Sequence, residues 1–226
     1  MRDGPLRHTH ELHYGEVLDS VTVVPDSAAM TRKNRGFSLL EMLITVAICM
    51  IMAGVTFITL MPMLKQSRVN AAYDTTLSVI RNYRNLSVTQ SKRYIVTFSP
   101  PGTITVQYWG VLVPVSPPPV TVATFTLPND IQFAVQPGFP AAAPDGFGSG
   151  GTAVDFDQGV GAGGENYIMF MPDGSSQDTL GNFNSGVLYL TRPGDLQSSR
   201  AISVFGTTGR VRGWRLSQDG TTWLQQ

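Results

Sequence analysis

The feature that most constrains this chain is the apolar run over residues 37–64, whose only ionisable groups are one carboxylate, Glu41, and one thiol, Cys49. The run exceeds the ~20 apolar residues a helix needs to cross a bilayer. A carboxylate five residues into such a segment costs ~2.5–3.5 kcal/mol or more in hydrocarbon, and the folding of an isolated helix gives no reason to place one there. A partner cation would. Arg32, Lys33 and Arg35 precede the run, which sets that end on the cytoplasmic side of a membrane and the rest of the chain outside it. A secretory signal peptide has a shorter core with an Ala-x-Ala-like site after it. Here the small residue, Gly36, stands before the core. A cut after Gly36 removes the basic leader and keeps the helix.

Residues 1–29 fit this pattern poorly. They carry His8, His10, His13 and scattered acids without apolar periodicity, whereas Met30 opens a compact basic leader, Thr31-Arg32-Lys33-Asn34-Arg35-Gly36. Either Met30 is the true start, or residues 1–29 are a disordered extension removed during processing. The histidines lack the supporting ligands and second shell of a metal site. Cys49 is the single cysteine, so no disulfide forms within the chain, and it reads as a small hydrophobe in a helix. The formal net charge of +0 predicts neither a nucleic-acid binder nor a polyanion from bulk electrostatics; such a role needs a local patch.

After Lys65 the pattern turns amphipathic. Val69, Ala72, Tyr73, Leu77, Ile80 and Tyr83 project onto one face at about 100° per residue, with Asp74, Ser78, Arg81 and Asn85 facing away. One helix is therefore expected over residues 37–91, its second half covered by a sheet. Pro62 removes one backbone hydrogen bond and predicts a kink or local unwinding, with Gly54 a weaker site for one. Strands are expected at 94–98 and 103–109 (a hairpin through Ser99-Pro100-Pro101-Gly102), and at 120–127 and 131–135 as a second pair around Pro128-Asn129-Asp130. Residues 136–164 are rich in Gly, Pro and Ala and read as a long loop without core residues, with a short strand at 153–156. Four more strands follow at 167–171, 187–191, 201–205 and 210–216. The class is α+β: one long helix, then an antiparallel sheet around its second half.

Gly36-Phe37-Ser38-Leu39-Leu40-Glu41 at the head of the run resembles the class III signal of type IV prepilins and pseudopilins. The stretches Phe170-Met171-Pro172-Asp173-Gly174, Gly186-Val187-Leu188-Tyr189-Leu190, Arg200-Ala201-Ile202-Ser203-Val204 and Gly209-Arg210-Val211-Arg212 resemble the soluble domain of the GspH/FimT-type minor pseudopilins. The resemblance covers residues 37–216. It implies a leader at 1–36, a transmembrane and filament-core helix at 37–64, and a periplasmic domain at 65–226 that includes the helix's second half. It further implies cleavage at Gly36–Phe37 by a prepilin peptidase, N-methylation of Phe37, and Glu41 neutralising an α-ammonium on assembly. The implied setting is the bacterial inner membrane and its lipid. From there the subunit would join other major and minor pilins near the tip of a filament, of a type II secretion system or a type IV pilus, with secreted cargo a further contact. The chain has no C-terminal cysteine pair of the kind that staples many major pilins, which argues against a bulk subunit.

No enzyme reading gathers support. Beyond residue 29 there is no histidine, so Ser-His-Asp and Cys-His arrangements are excluded. Asp155 with Asp157, and Asp173 with Asp178, lack calcium-loop spacing. Gly161-Ala162-Gly163-Gly164 lacks the Lys-Ser/Thr of a phosphate loop. No cofactor and no metal are expected. The one local basic cluster is Arg210, Arg212 and Arg215. On a strand Arg210 and Arg212 point to one face about 6–7 Å apart, close to the spacing of phosphates along a nucleic-acid strand. In FimT-type members a Gly-Arg-x-Arg element is associated with capturing DNA during natural transformation, which makes a DNA-binding pilin the alternative. Against it stands an exposed hairpin whose arginines pair with Asp195 or Asp219, or cover Trp214 with their stems. A third reading, an anchored β domain outside any filament, predicts that the Gly36–Phe37 bond stays uncut.

Overall fold

A computed structural model describes residues 36–110, 119–148, 150–156 and 165–226. The leader through Arg35, the segment 111–118, Asp157 and the glycines at 161–164 lie outside the described residues. The chain divides into two units, Met1–Cys49 and Met50–Gln226, and each is taken by itself.

Helix α1 runs Leu39–Gln90, 52 residues, and continues through Pro62. In the first unit its described side chains are exposed. In the second unit exposure persists to Arg68, and then a buried stripe begins: Val69, Ala72, Tyr73, Thr76, Ile80, Tyr83 and Ser87, the i, i+3, i+4 spacing of one helix face. Leu77 is half-buried, while Asp74, Ser78, Arg81 and Asn85 are exposed, as the periodicity requires. Ser91 ends the helix with a left-handed φ of 52°. The turn lets Lys92 N–H return to the Ser87 carbonyl at 3.1 Å, satisfying a carbonyl that the helix end would leave open.

The strands are β1 Arg93–Ser99, β2 Thr103–Trp109, β3 Val120–Thr126, β4 Gln132–Phe133, β5 Val154–Asp155, β6 Tyr167–Phe170, β7 Ser176–Gln177, β8 Gly186–Arg192, β9 Asp195–Phe205, β10 Arg210–Leu216 and β11 Trp223–Gln225. They form two antiparallel sheets, not one. The first has the order β3-β2-β1-β6-β7; the second has β11-β10-β9-β8-β4, with β5 on β8. Val96, Phe98, Ile104, Ile168 and Phe170 from the first sheet meet Leu188, Leu190, Ile202 and Val204 from the second, with the helix stripe, in one core. Burying each large apolar side chain stabilises by ~1.5–3 kcal/mol.

Two further sequence expectations are corrected. Residues 120–127 and 131–135 do not pair: β3 joins β2, and β4 joins β8 in the other sheet. The loop after β4 also builds core. Phe139 and Phe147 pack with Val135, Trp214 and Trp223 over Val187, Tyr189 and Ala201. That cluster covers the outer face of the second sheet, which is why β8 is buried at nearly every position instead of alternating.

Gly213 shows how closely α1 meets β10. A Cβ there would lie 1.6 Å from the Tyr73 hydroxyl, so only hydrogen fits. Gly213→Ala should therefore lower stability by about 1–3 kcal/mol or more through overpacking. Ile80→Ala, which opens a cavity in the stripe, should lower it by about 2–5 kcal/mol. Urea denaturation of the detergent-solubilised chain reads both; a Gly213→Ala midpoint equal to wild type would contradict the tight approach.

Candidate functional site

The head of α1 brings the first set of sequence-predicted residues together. Gly36 and Phe37 precede the helix and are exposed, Phe37 at 75%. Met42 N–H donates to the Ser38 carbonyl at 3.1 Å, so Glu41 stands in the first turn. There the unpaired N–H groups of the helix end already favour an anion. Apolar side chains are exposed all round, and one 18-residue window has a mean hydropathy of 2.5 with none of it buried. This helix is long and apolar enough to cross a membrane. Its described hydroxyls stay within the helix: Thr45 donates to the Met42 carbonyl and Thr56 to the Met52 carbonyl, both at 2.8 Å. That bonding is what a polar group needs in hydrocarbon.

The basic cluster does not stay together. Arg210 and Arg212 share one face of β10, but Arg215 is of opposite parity, as are Val211 and Gly213. Arg215 opens instead on a cavity of about 230 Å³ with Arg200, Tyr73 and Asn70. Arg212 is already paired. Its Nη1 donates to Asp145 Oδ1 at 2.6 Å, and its guanidinium lies 5.4 Å from the Phe205 ring centroid. Asp145 sits in a 3-10 turn, Pro144–Gly146, with a left-handed φ of 54°, a conformation Asp tolerates better than most residues. Its Oδ2 accepts from Ser203 Oγ at 2.5 Å, and that hydroxyl accepts from Trp214 Nε1 at 2.9 Å. Neither Asp195 nor Asp219 takes this part. Asp219 is held by the hydroxyls of Ser217 and Thr221 and by Thr221 N–H, which lower its pKa to about 2.

Arg210 remains. It is exposed and stacks 4.5 Å above the Phe205 ring centroid. It lines a cavity of about 640 Å³ with Arg81, Arg84 and Asn85 of α1 and the turn Thr207, Thr208 and Gly209. Arg84 Nη2 donates to the Thr208 carbonyl at 2.8 Å, while its buried Nε has no acceptor. Gly209, at φ 59°, would place a Cβ 2.0 Å from the Gly174 carbonyl oxygen; glycine is obligatory where the two turns touch. Among the described residues no carboxylate lies within 4 Å of Arg81, Arg84 or Arg210. Sequence reasoning missed Arg81 and Arg84 as partners of Arg210, although the place of Arg81 on the solvent face of α1 followed from the periodicity. Asp145 left no local signal.

A further arginine is buried. Arg200 is 1% exposed and donates to the carbonyls of Ser199 (3.1 Å) and Gln197 (3.4 Å) and to Asn70 Oδ1 (3.1 Å). Desolvation, then the charge of Arg215, hold its pKa below the usual arginine range.

Residues 31–57 match the prokaryotic N-terminal methylation motif. The chain thus carries the N-methylation motif of type IV prepilin-like proteins. Among solved structures, the type IV minor pilin FimU of Pseudomonas aeruginosa PAO1 is similar at 11% identity and a TM-score of 0.39, over 66% of this chain and 90% of that one. No curated protein matches the chain.

The Arg212–Asp145 pair is testable. Arg212 is 28% and Asp145 6% exposed at the side chain, so the pair is partly desolvated and a charged hydrogen bond of this kind contributes about 1.5–3 kcal/mol. Asp145→Ala should destabilise by that order. A double-mutant cycle with Arg212→Ala should show coupling of about 0.5–3 kcal/mol. Additive single effects would mean that Arg212 is not held by Asp145.

Proposed function

We propose that this chain is a minor pilin-like subunit of the GspH/FimT type. It is cut between Gly36 and Phe37 by a prepilin peptidase, methylated on the Phe37 amine, and incorporated near the tip of a filament built from other pilins. The supporting observation is the head of α1. An apolar, exposed helix of membrane-crossing length carries one carboxylate, Glu41, in its first turn, directly after Gly36-Phe37 and within the matched methylation motif. Before assembly the helix rests in the inner membrane, leader inside and β domain in the periplasm. On assembly it leaves lipid for the packed helices of the filament. Glu41 then meets the Phe37 ammonium, its own or a neighbour's, because either charge left alone in that setting costs several kcal/mol. The role is structural, in the service of protein secretion by a type II system or of a type IV pilus.

The DNA-binding alternative rests on Arg210 and Arg212 of the Gly-Arg-x-Arg element, with Arg215 following them. With Arg212 paired to Asp145 and Arg215 on the other face of β10, Arg210 alone is left to it. The filament reading is therefore preferred.

Mass spectrometry of the membrane form should find a chain beginning at Phe37 and one methyl group heavier on its amine. In Glu41→Ala both modifications should persist. Recovery in the sheared filament fraction should fall at least about tenfold, as expected for losing a charged contact of ~1.5–3 kcal/mol. A mature terminus elsewhere, or wild-type recovery of Glu41→Ala, would refute the assignment.

A further inference from the structure

We infer that the cleft between residues 81–85 of α1 and the β9–β10 turn is a docking site for an acidic segment of a neighbouring filament subunit. The neighbour's carboxylates would be received by Arg81, Arg84 and Arg210. The inference rests on the filament reading for its partner and on the cleft's geometry for its chemistry.

The charge is local and uncompensated. The chain holds 16 basic and 16 acidic residues, and its other engaged arginines are provided for: Arg68 and Arg192 by Asp130, Arg212 by Asp145. Arg81, Arg84 and Arg210 line one cavity of about 640 Å³ and have no described carboxylate within 4 Å. Like charges gathered without a counter-charge repel one another, and an incoming carboxylate removes that cost. The donor geometry suits it as well. A guanidinium presents a planar fork that can match a carboxylate with two parallel hydrogen bonds; at Arg212–Asp145 the chain makes one such charged contact, 2.6 Å long. Asn85, Thr207 and Thr208 add polar groups at the rim for a peptide backbone.

An acidic peptide fits better than a polynucleotide. A nucleic acid needs a track of cations; proteins that bind it tightly neutralise about 6–10 phosphates. Here the track stops after Arg210, since Arg212 is consumed by Asp145 and Arg215 faces the other way. The cavity's size also lies within the ~300–1,000 Å³ of ordinary binding clefts, enough for several side chains and far more than one small anion fills. The position favours a neighbour. Arg81 and Asn85 are exposed on α1 and Arg84 is half-buried at the edge of its buried stripe, and α1 is the element whose first half would pack against other subunits in the filament.

The test uses the full chain in detergent micelles, with fluorescein-labelled hexaglutamate as the probe. An equally charged single-stranded oligonucleotide and inorganic phosphate serve as competitors. Arg81→Glu/Arg210→Glu is the variant of choice, because both side chains are exposed and Arg84, which holds the Thr208 carbonyl, is left in place. Hexaglutamate binding should weaken at least about tenfold in this variant, as for losing two charged contacts. Arg81→Lys/Arg210→Lys should retain most of it, and the thermal midpoint should not move. In cells, a photo-crosslinker at Asn85 should capture another filament subunit in the wild-type background and lose it in the Glu double variant, with Phe37 methylation unchanged. Three results would overturn the inference: hexaglutamate binding indifferent to the variants, phosphate binding without peptide binding, or oligonucleotide binding through the same arginines more tightly than the peptide. Failure of the filament reading is seen separately, as an uncut Gly36–Phe37 bond, whatever the micelle measurement returns.

Discussion

One helix answers to two environments, and the burial of its second half is the interaction on which the rest of the molecule depends. Residues 69–87 present a single stripe to the core, and both sheets pack into the same core with it. Tyr73 reaches the backbone of β10 at Gly213. Burial raises its pKa first, with Arg81 opposing, so the phenol stays neutral where it packs. Ser87 Oγ donates to the Met171 carbonyl at 3.0 Å, and Arg84 donates to the Thr208 carbonyl. The helix thereby fixes the turn after β6 and the turn between β9 and β10 with two polar contacts at one end of the stripe. The first half of α1 needs no such partners. Its backbone is satisfied internally by the helical ladder, the one arrangement besides a closed barrel that hydrocarbon permits.

The same division governs the charges. In the β domain, acids are placed where an arginine must be held: Asp130 between Arg68 and Arg192, Asp145 beneath Arg212. Arg200 is held without an acid while buried, its guanidinium bonded to two carbonyls and an amide oxygen. Neutral acceptors replace only part of the hydration it lost, which accords with its depressed pKa. Exposed pairs such as Arg68–Asp130 contribute little to stability, so their interest is geometric. Arg68 ties the point where α1 enters the domain to the crossing between the sheets.

Much of this was legible in the residues because it follows from local periodicity. The stripe at 3.6 residues named Val69, Ala72, Tyr73, Ile80 and Tyr83, and β2 and β10 fell on their expected bounds. What failed was non-local. Pro128-Asn129-Asp130 has the chemistry of a hairpin turn, but β3 keeps much of its surface exposed as the edge of the first sheet, while Ile131 and Phe133 are needed in the core beside β8. The turn is a crossing between sheets, and turn chemistry alone does not distinguish the two. The loop after β4 looked too poor in large apolar residues to build core. Two phenylalanines suffice when strands supply the opposing surface, as Phe139 does 5.3 Å from both Tyr189 and Trp223. Asp145 pairs across 67 positions of sequence, beyond any local pattern.

The Gly-Arg-Val-Arg-Gly stretch at 209–213 shows why a functional motif can overstate itself. Gly209 is required by the Gly174 carbonyl and Gly213 by the Tyr73 hydroxyl. Val211 packs on the core, and Arg212 is committed to Asp145. Packing and pairing thus account for every position except Arg210. Strand alternation correctly placed both arginines on one face, yet the face itself supplied an acid for one of them. The cations that stand with Arg210 come from α1, where Arg81 had read only as part of a solvated polar face. A site assembled from a helix and a turn takes its membership from tertiary contact, so side chains adjacent in sequence can be occupied elsewhere while distant ones complete the set.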